Sequence, residues 1–194
     1  ASNKMVDRIR ADAEAILEQA VVDIFTKTLG WQHENCQSEK VGGDFPTLGR
    51  ATQSEVLLPA RMTPVLDRLN AELPDSVRAE ALRLAREELS RDRSAMDPAR
   101  ANQEIYRLLK DGVPFQVFDS ESGERVECRV RLIDWEKPGN NDWFLAQQFI
   151  VTGENYTRRA DLIGFVNGIP LLFIELKATL KDAQNAYREN LKDY

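Results

Sequence analysis

The chain has 194 residues, 42% of them apolar and 30% charged, a balance that suits one globular domain and excludes a wholly disordered chain. Lys plus Arg total 26 and Asp plus Glu 32, so the net charge of −6 leaves no global basic field, and any nucleic-acid contact needs a local patch or a metal. Two cysteines, Cys36 and Cys128, and one histidine, His33, exclude a disulfide scaffold, a cysteine-rich zinc site and any site built on paired histidines.

Residues 5–29 read as a long amphipathic helix. Ile9, Ala13, Ile16, Ala20, Ile24 and Thr28 recur at steps of three or four, Leu17, Val21 and Phe25 widen the stripe, and Gly30 is the expected stop. Residues 31–50 are polar and glycine-bearing and read as a loop. Residues 54–92 read as helical, punctuated by Pro64 and Pro74, with a cap at Asp75-Ser76. A further helix is expected at about 98–111, between Pro98 and Gly112. Beyond Gly112 the period changes to two. Phe115 and Val117, then Val126, Cys128, Val130 and Leu132, alternate with polar residues as in half-buried strands, with Arg125, Arg129 and Arg131 on the other face. Trp143 to Val151 reads as a third strand, and 161–166 and 171–177 as short, intensely apolar strands buried on both faces. Residues 180–194 are lysine-rich and favour helix. The order predicts an α/β (α+β) domain with a mixed, largely antiparallel sheet, in which 31–112 is a loop and helical insert and 113–194 the sheet and core. No apolar run approaches the ~20 residues needed to span a bilayer. Ala1 to Ala20 is charged throughout and has no apolar signal core, so the expected compartment is the cytoplasm.

The chemistry concentrates in 161–177. Asn167-Gly168 is a strong hairpin signal between the last two strands. The first strand begins at Asp161; the second ends in Glu175 and Lys177, charges that are costly to desolvate unless paired or bound to a metal. A two-residue loop pairs Asp161 with Ile174 and sends Glu175 to the other face. A three-residue loop, 167–169, sets Asp161 opposite Glu175. Pro170 cannot donate to the ladder, so the second register is expected. Facing carboxylates repel, and a divalent cation between them removes the penalty. Oxygen ligands without histidine or thiolate favour Mg²⁺ or Mn²⁺ over zinc. Lys177 beside such a metal is suited to orient water or offset transition-state charge.

Segment 156–177 resembles the PD-(D/E)xK nuclease core. More closely, the chain resembles the N-terminal endonuclease domain of the restriction (R) subunit of type I restriction-modification enzymes. The resemblance runs through Leu17-Glu18, Leu29-Gly30-Trp31, Leu48-Gly-Arg50, Arg129-Val-Arg-Leu-Ile-Asp134, Asn140-Asn-Asp142 and Gln148-Phe149. It closes on Arg159-Ala-Asp161, Phe165-Val-Asn-Gly-Ile-Pro170 and Ile174-Glu-Leu-Lys177. It implies a restriction-endonuclease-like α/β/α core. Asp161 and Glu175 then match the metal-binding carboxylates and Lys177 the catalytic lysine. Glu18, or Glu14 one turn earlier, matches a helix carboxylate near the metal. A Q-x-x-x-Y element that positions DNA aligns with Asn190 to Tyr194, asparagine replacing glutamine, and Ala160 stands where the family has proline.

The resemblance further implies Mg²⁺-dependent, sequence-non-specific cleavage of double-stranded DNA, in a complex with methyltransferase and specificity subunits. The ATP-driven translocase of that family has its own region. No Gly-x-x-x-x-Gly-Lys-[Ser/Thr] loop occurs in this sequence, so the chain is expected to be a fragment, with ATP serving only the full-length subunit. Arg158, Arg159, Lys177, Lys181, Arg188 and Lys192 are the candidate phosphate contacts. A repair or recombination nuclease of the same fold, and a non-catalytic docking module, are the competing readings.

Overall fold

The computed structural model describes residues 2–177. The N-terminal helix forms as α1 (Ser2–Asp23), extended by one wider π-helical turn, Ile24–Thr28. Its buried face differs from the predicted stripe. Ile9, Ile16 and Ile24 are exposed, whereas Val22 is buried and Val21 and Phe25 pack beside it. Glu18, Val21, Val22 and Phe25 follow the i, i+3, i+4, i+7 spacing of a single helical face. The sheet therefore receives a stripe whose N-terminal member is a carboxylate.

The segment read as a loop contains a strand, β1 (Gln32–Asn35). Its residues are all polar and show no alternation, so no periodic signal marked it. Three helices follow: α2 (Pro59–Leu69, with Pro64 inside it), α3 (Asp75–Ser90) and α4 (Pro98–Asp111). Asp97 caps α4 by accepting from the backbone N–H groups of Ala99 and Arg100. The expected side-chain cap on α3 does not form: Pro74 takes the cap position and Asp75 lies in the first turn.

The strands divide into two sheets. β2 (Val113–Asp119) and β3 (Glu124–Val130) make a separate antiparallel hairpin over α3. The main sheet is mixed, in the order β1-β4-β5-β6, with β4 (Trp143–Thr152), β5 (Thr157–Val166) and β6 (Ile169–Ile174). Among the described strands only the β1–β4 pair is parallel. This is an α/β fold with a largely antiparallel sheet. Among the described residues no helix is long and apolar enough to cross a membrane.

The hairpin register reaches the expected pairing by a different route. The β5–β6 loop has two residues, Asn167 (φ 53°) and Gly168 (φ 74°), both left-handed as a tight hairpin requires. Next to the turn Val166 pairs with Ile169 and Phe165 with Pro170; past a bulge at Leu171, Gly164 pairs with Leu172 and Leu162 with Ile174. The ladder ends there, and the same offset carried one step beyond β6 would set Asp161 against Glu175. The extra residue sits within the strand rather than in the turn. Pro170 is tolerated because β6 is the outermost strand of the described sheet, a position that also leaves Leu171, Leu172 and Phe173 exposed rather than buried on both faces. Any side chain at Gly168 would meet the Leu58 carbonyl, since an added Cβ lies 2.7 Å from it.

Two polar knots close the fold. Asn167 is fully buried; its Nδ2 donates to the Leu132 carbonyl and to Asn141 Oδ1, and its Oδ1 accepts from the Asp142 N–H. The same loop wraps Asp134, whose carboxylate accepts from the Glu136 and Lys137 N–H groups and from Asn140 Nδ2. The second knot is Arg50, with no exposed surface. Its guanidinium pairs with Glu39 (Nε to Oε1 2.9 Å), donates to the carbonyls of Gln53, Glu55 and Ile150, and stacks 4.1 Å from the Phe149 ring centroid.

Removing Arg50 strands a buried Glu39 carboxylate and three carbonyls. Arg50→Ala is expected to destabilise the chain by about 3–5 kcal/mol, read from urea unfolding; a loss below ~1 kcal/mol would show that the pair is not buried as described. The Asn140 amide and the Lys137 N–H hold the Asp134 carboxyl below the ordinary carboxylate range. A depressed folded pKa stabilises above the unfolded value of about 3.9, and that contribution fades as pH falls through the folded pKa. The acid arm of the stability profile, followed by urea midpoints below pH 5, should therefore flatten in Asp134→Asn. An unchanged slope contradicts this.

Candidate metal centre

The core facing pattern skips one beat in the middle of the sheet. On β4, Leu145 packs with the α1 cluster while Phe144 and Ala146 face the opposite one. Regular alternation would return Phe149 to the α1 side, yet it lies in the opposite cluster with Ala160. On β5 the same slip separates Leu162, under α1, from Ala160. The offset is the same on either side of a one-pair gap, Gln147 with Leu162 and Phe149 with Ala160, so the unpaired Gln148 and Asp161 stand across from one another at the slip. Gln148 supplies the backbone for it, with a φ of 56°, uncommon for a residue with a side chain.

Consecutive strand side chains normally point to opposite faces. Here Gln147 and Gln148 both reach Glu18 on α1. Gln147 Nε2 donates to Glu18 Oε1 at 2.6 Å, and Gln148 Nε2 donates to Oε1 at 2.9 Å and Oε2 at 3.0 Å. With its amide nitrogen so directed, Gln147 Oε1 accepts from His33 Nε2 at 2.9 Å. Asp161 is half-buried, and its Oδ2 accepts from the Leu176 N–H at 2.8 Å. Oδ1 has no partner among the described residues.

Glu175 and Lys177 follow the end of β6 and are exposed. Ile174 and Leu176 pack on the α1 cluster, so Glu175 and Lys177 take the alternate positions. They form no ion pair with one another or with any described residue. Arg158 and Arg159 are exposed and likewise unpaired among the described residues, Arg158 lying 5.5 Å from the Tyr156 ring centroid. Glu14, the alternative helix carboxylate, meets Arg10 instead (3.3 Å). Lys181, Arg188, Asn190, Lys192 and Tyr194 lie outside the described residues.

The structure thus joins Glu18 to the Gln147–Gln148 corner, sets Asp161 across from Gln148 and ties Asp161 to the backbone of Leu176, next to Glu175. It does not draw any three His, Cys, Asp or Glu side chains into one metal-holding group among the described residues. The donors nonetheless fit a hard divalent cation, being carboxylate oxygens with unfilled acceptor positions and no soft ligand. Sequence reasoning gave no role at the site to Gln147, Gln148 or His33, although Gln148-Phe149 belongs to the resemblance. A second signal was a pair of amides interrupting an apolar strand.

An α/β domain with acidic groups grouped about one slip in its sheet is the class these features define. Comparison with known proteins makes it specific. The family model described as Type I restriction enzyme R protein N terminus matches residues 13–194, and the chain belongs to that family. It is 31% identical over 162 residues, 81% of its length, to the type I restriction enzyme HindI endonuclease subunit of Haemophilus influenzae. It is 37% identical over 99 residues, 46% of its length, to a Methanocaldococcus jannaschii chain provisionally named the type I restriction enzyme MjaIXP endonuclease subunit. The matches span 14% and 9% of those two relatives.

Asp161 provides the Leu176 N–H with its acceptor. Asp161→Ala should cost about 1 kcal/mol in urea unfolding with EDTA present, while Asp161→Asn, which keeps an acceptor, should stay within ~0.5 kcal/mol of the parent. Equal losses in both variants would refute that bond.

Proposed function

We propose that this chain is the Mg²⁺-dependent, sequence-non-specific double-stranded DNA endonuclease domain of a type I restriction R subunit. Family membership supports the class of protein. The observation that supports the site assignment is the β5–β6 register, in which Leu162 pairs with Ile174, the residues next to Asp161 and Glu175, while the Leu176 N–H donates to Asp161 and Lys177 follows Glu175 by two.

In this reading Asp161 and Glu175 hold the cation, with Glu18 as a further carboxylate from α1. A bound Mg²⁺, for which Mn²⁺ can substitute, would stabilise charge on the scissile phosphodiester and acidify a water. Lys177, free of any described carboxylate partner, orients that water or offsets charge as the phosphorus becomes five-coordinate. Arg158 and Arg159 contact phosphates, and the net charge of −6 keeps the isolated chain's affinity weak and salt-sensitive. Sequence choice and ATP-driven translocation belong to other subunits and other regions. The alternative, a docking module without catalysis, draws on the absence of a three-member ligand group among the described residues.

In the assembled restriction complex, Asp161→Asn, Glu175→Gln and Lys177→Ala should each lower DNA cleavage by at least about 100-fold while ATP hydrolysis continues. Cleavage retained by Glu175→Gln contradicts the assignment.

A further inference from the structure

We propose that Gln148 is a positioning residue: its left-handed backbone brings its amide to the α1 side, where it fixes the Glu18 carboxylate for a divalent cation shared with Asp161. This rests on the metal-dependent reading above and extends it to a residue that touches neither cation nor phosphate.

Gln148 is half-buried in the middle of a strand, where a left-handed side-chain-bearing residue costs of order 1–3 kcal/mol and persists only when its surroundings enforce it. A strand needs no such break for its own pairing, and the β4–β5 register runs through it unshifted. What the break accomplishes is local. It places two successive amides on one carboxylate, and it does so across from Asp161.

The arrangement of acceptors matters. A carboxylate has about four lone-pair positions. Glu18 Oε1 takes two N–H groups, while Oε2 takes one, from Gln148 alone. Oε2 therefore keeps an acceptor position, and Gln148, bridging both oxygens, sets its direction. Gln147 is in turn held by His33, so rotation of the carboxylate is opposed from both sides. Outer hydrogen bonds of this kind orient metal-binding groups, and their loss costs roughly 10–100-fold in metal affinity.

The backbone and the amide are separable by mutation. Glycine takes a φ near 56° freely, so Gln148→Gly keeps the turn, relieves its strain and deletes only the amide. Mn²⁺ binding to the 194-residue chain is followed by calorimetry and by the Mn²⁺ electron paramagnetic resonance signal, beside a thermal melt in EDTA. Gln148→Gly is expected to bind Mn²⁺ roughly tenfold or more weakly while melting at or above the parent temperature. Gln148→Ala, in which the turn is strained, should lose affinity to the same degree and melt lower. Asp161→Asn is the control for the site itself and should abolish binding. Parent-like affinity in Gln148→Gly together with loss in Asp161→Asn overturns the positioning role and leaves the metal site standing. Parent-like affinity in Asp161→Asn, or no binding by the parent, overturns both.

Discussion

The buried Arg50–Glu39 pair is the constraint from which the site geometry follows. A guanidinium with no exposed surface has to find acceptors for its donors inside the protein, and this one takes them from three separate stretches of chain: Glu39, the carbonyls of Gln53 and Glu55, and the carbonyl of Ile150. The first two groups belong to the irregular segment between β1 and α2, the last to β4. Desolvating the charge makes every missing bond expensive, so the segment and the strand are locked together. Phe149 completes the arrangement by lying under the cation, and this fixes which side of the sheet Phe149 occupies.

That choice of side is incompatible with simple alternation from Leu145. Between them β4 must skip a beat, and Gln148 absorbs the skip in its backbone. The pleat break is therefore demanded from one face by a buried ion pair and used on the other face by α1. On the α1 side, Glu18 meets two amides that a regular strand would have pointed apart. Across the ladder, Asp161 shares the slip and turns one oxygen onto the Leu176 N–H. A bulge at Leu171 then sets the offset that pairs Leu162 with Ile174, one residue before Glu175. Two irregularities in neighbouring strand pairs bring Glu18 and Asp161 to the same slip in the sheet, while Glu175 takes the position alternate to the α1-facing Ile174 and Leu176.

Much of this was legible in the sequence. The helix at 98–111 and the alternating strands after Gly112 carried clear periods and formed where expected. The offset that pairs Leu162 with Ile174 was foreseen, but for the wrong reason, since the extra residue is a bulge at Leu171 rather than a third turn residue. Pro170 was read as an obstacle to a tight turn; on an edge strand it is none. β1 was invisible because Gln-His-Glu-Asn carries no apolar beat, and its pairing with β4 is a matter of long-range topology. The true sheet-facing stripe of α1 was hidden by Glu18 itself. A glutamate among Val21, Val22 and Phe25 reads as a break in a hydrophobic face until a partner across the sheet is known. Arg50 left no periodic trace either, because one buried cation in a polar stretch looks like any surface arginine.

Glu39 and Glu18 show why the identity of a carboxylate's partners matters more than their number. Both are held by several donors. Glu39 is held by a guanidinium, which cancels its charge and leaves a neutral structural unit. Glu18 is held by amides, which fix its direction and leave its negative charge in place. Glu175 likewise has no cation beside it among the described residues. A fold that needed Glu18 only as a tie between α1 and β4 would gain more from a basic residue at position 147 or 148, since a charge-assisted bond is roughly twice as strong as a neutral one. Neutral donors are the better solution where the remaining charge has a use, and in the proposed function a divalent cation is the partner that uses it.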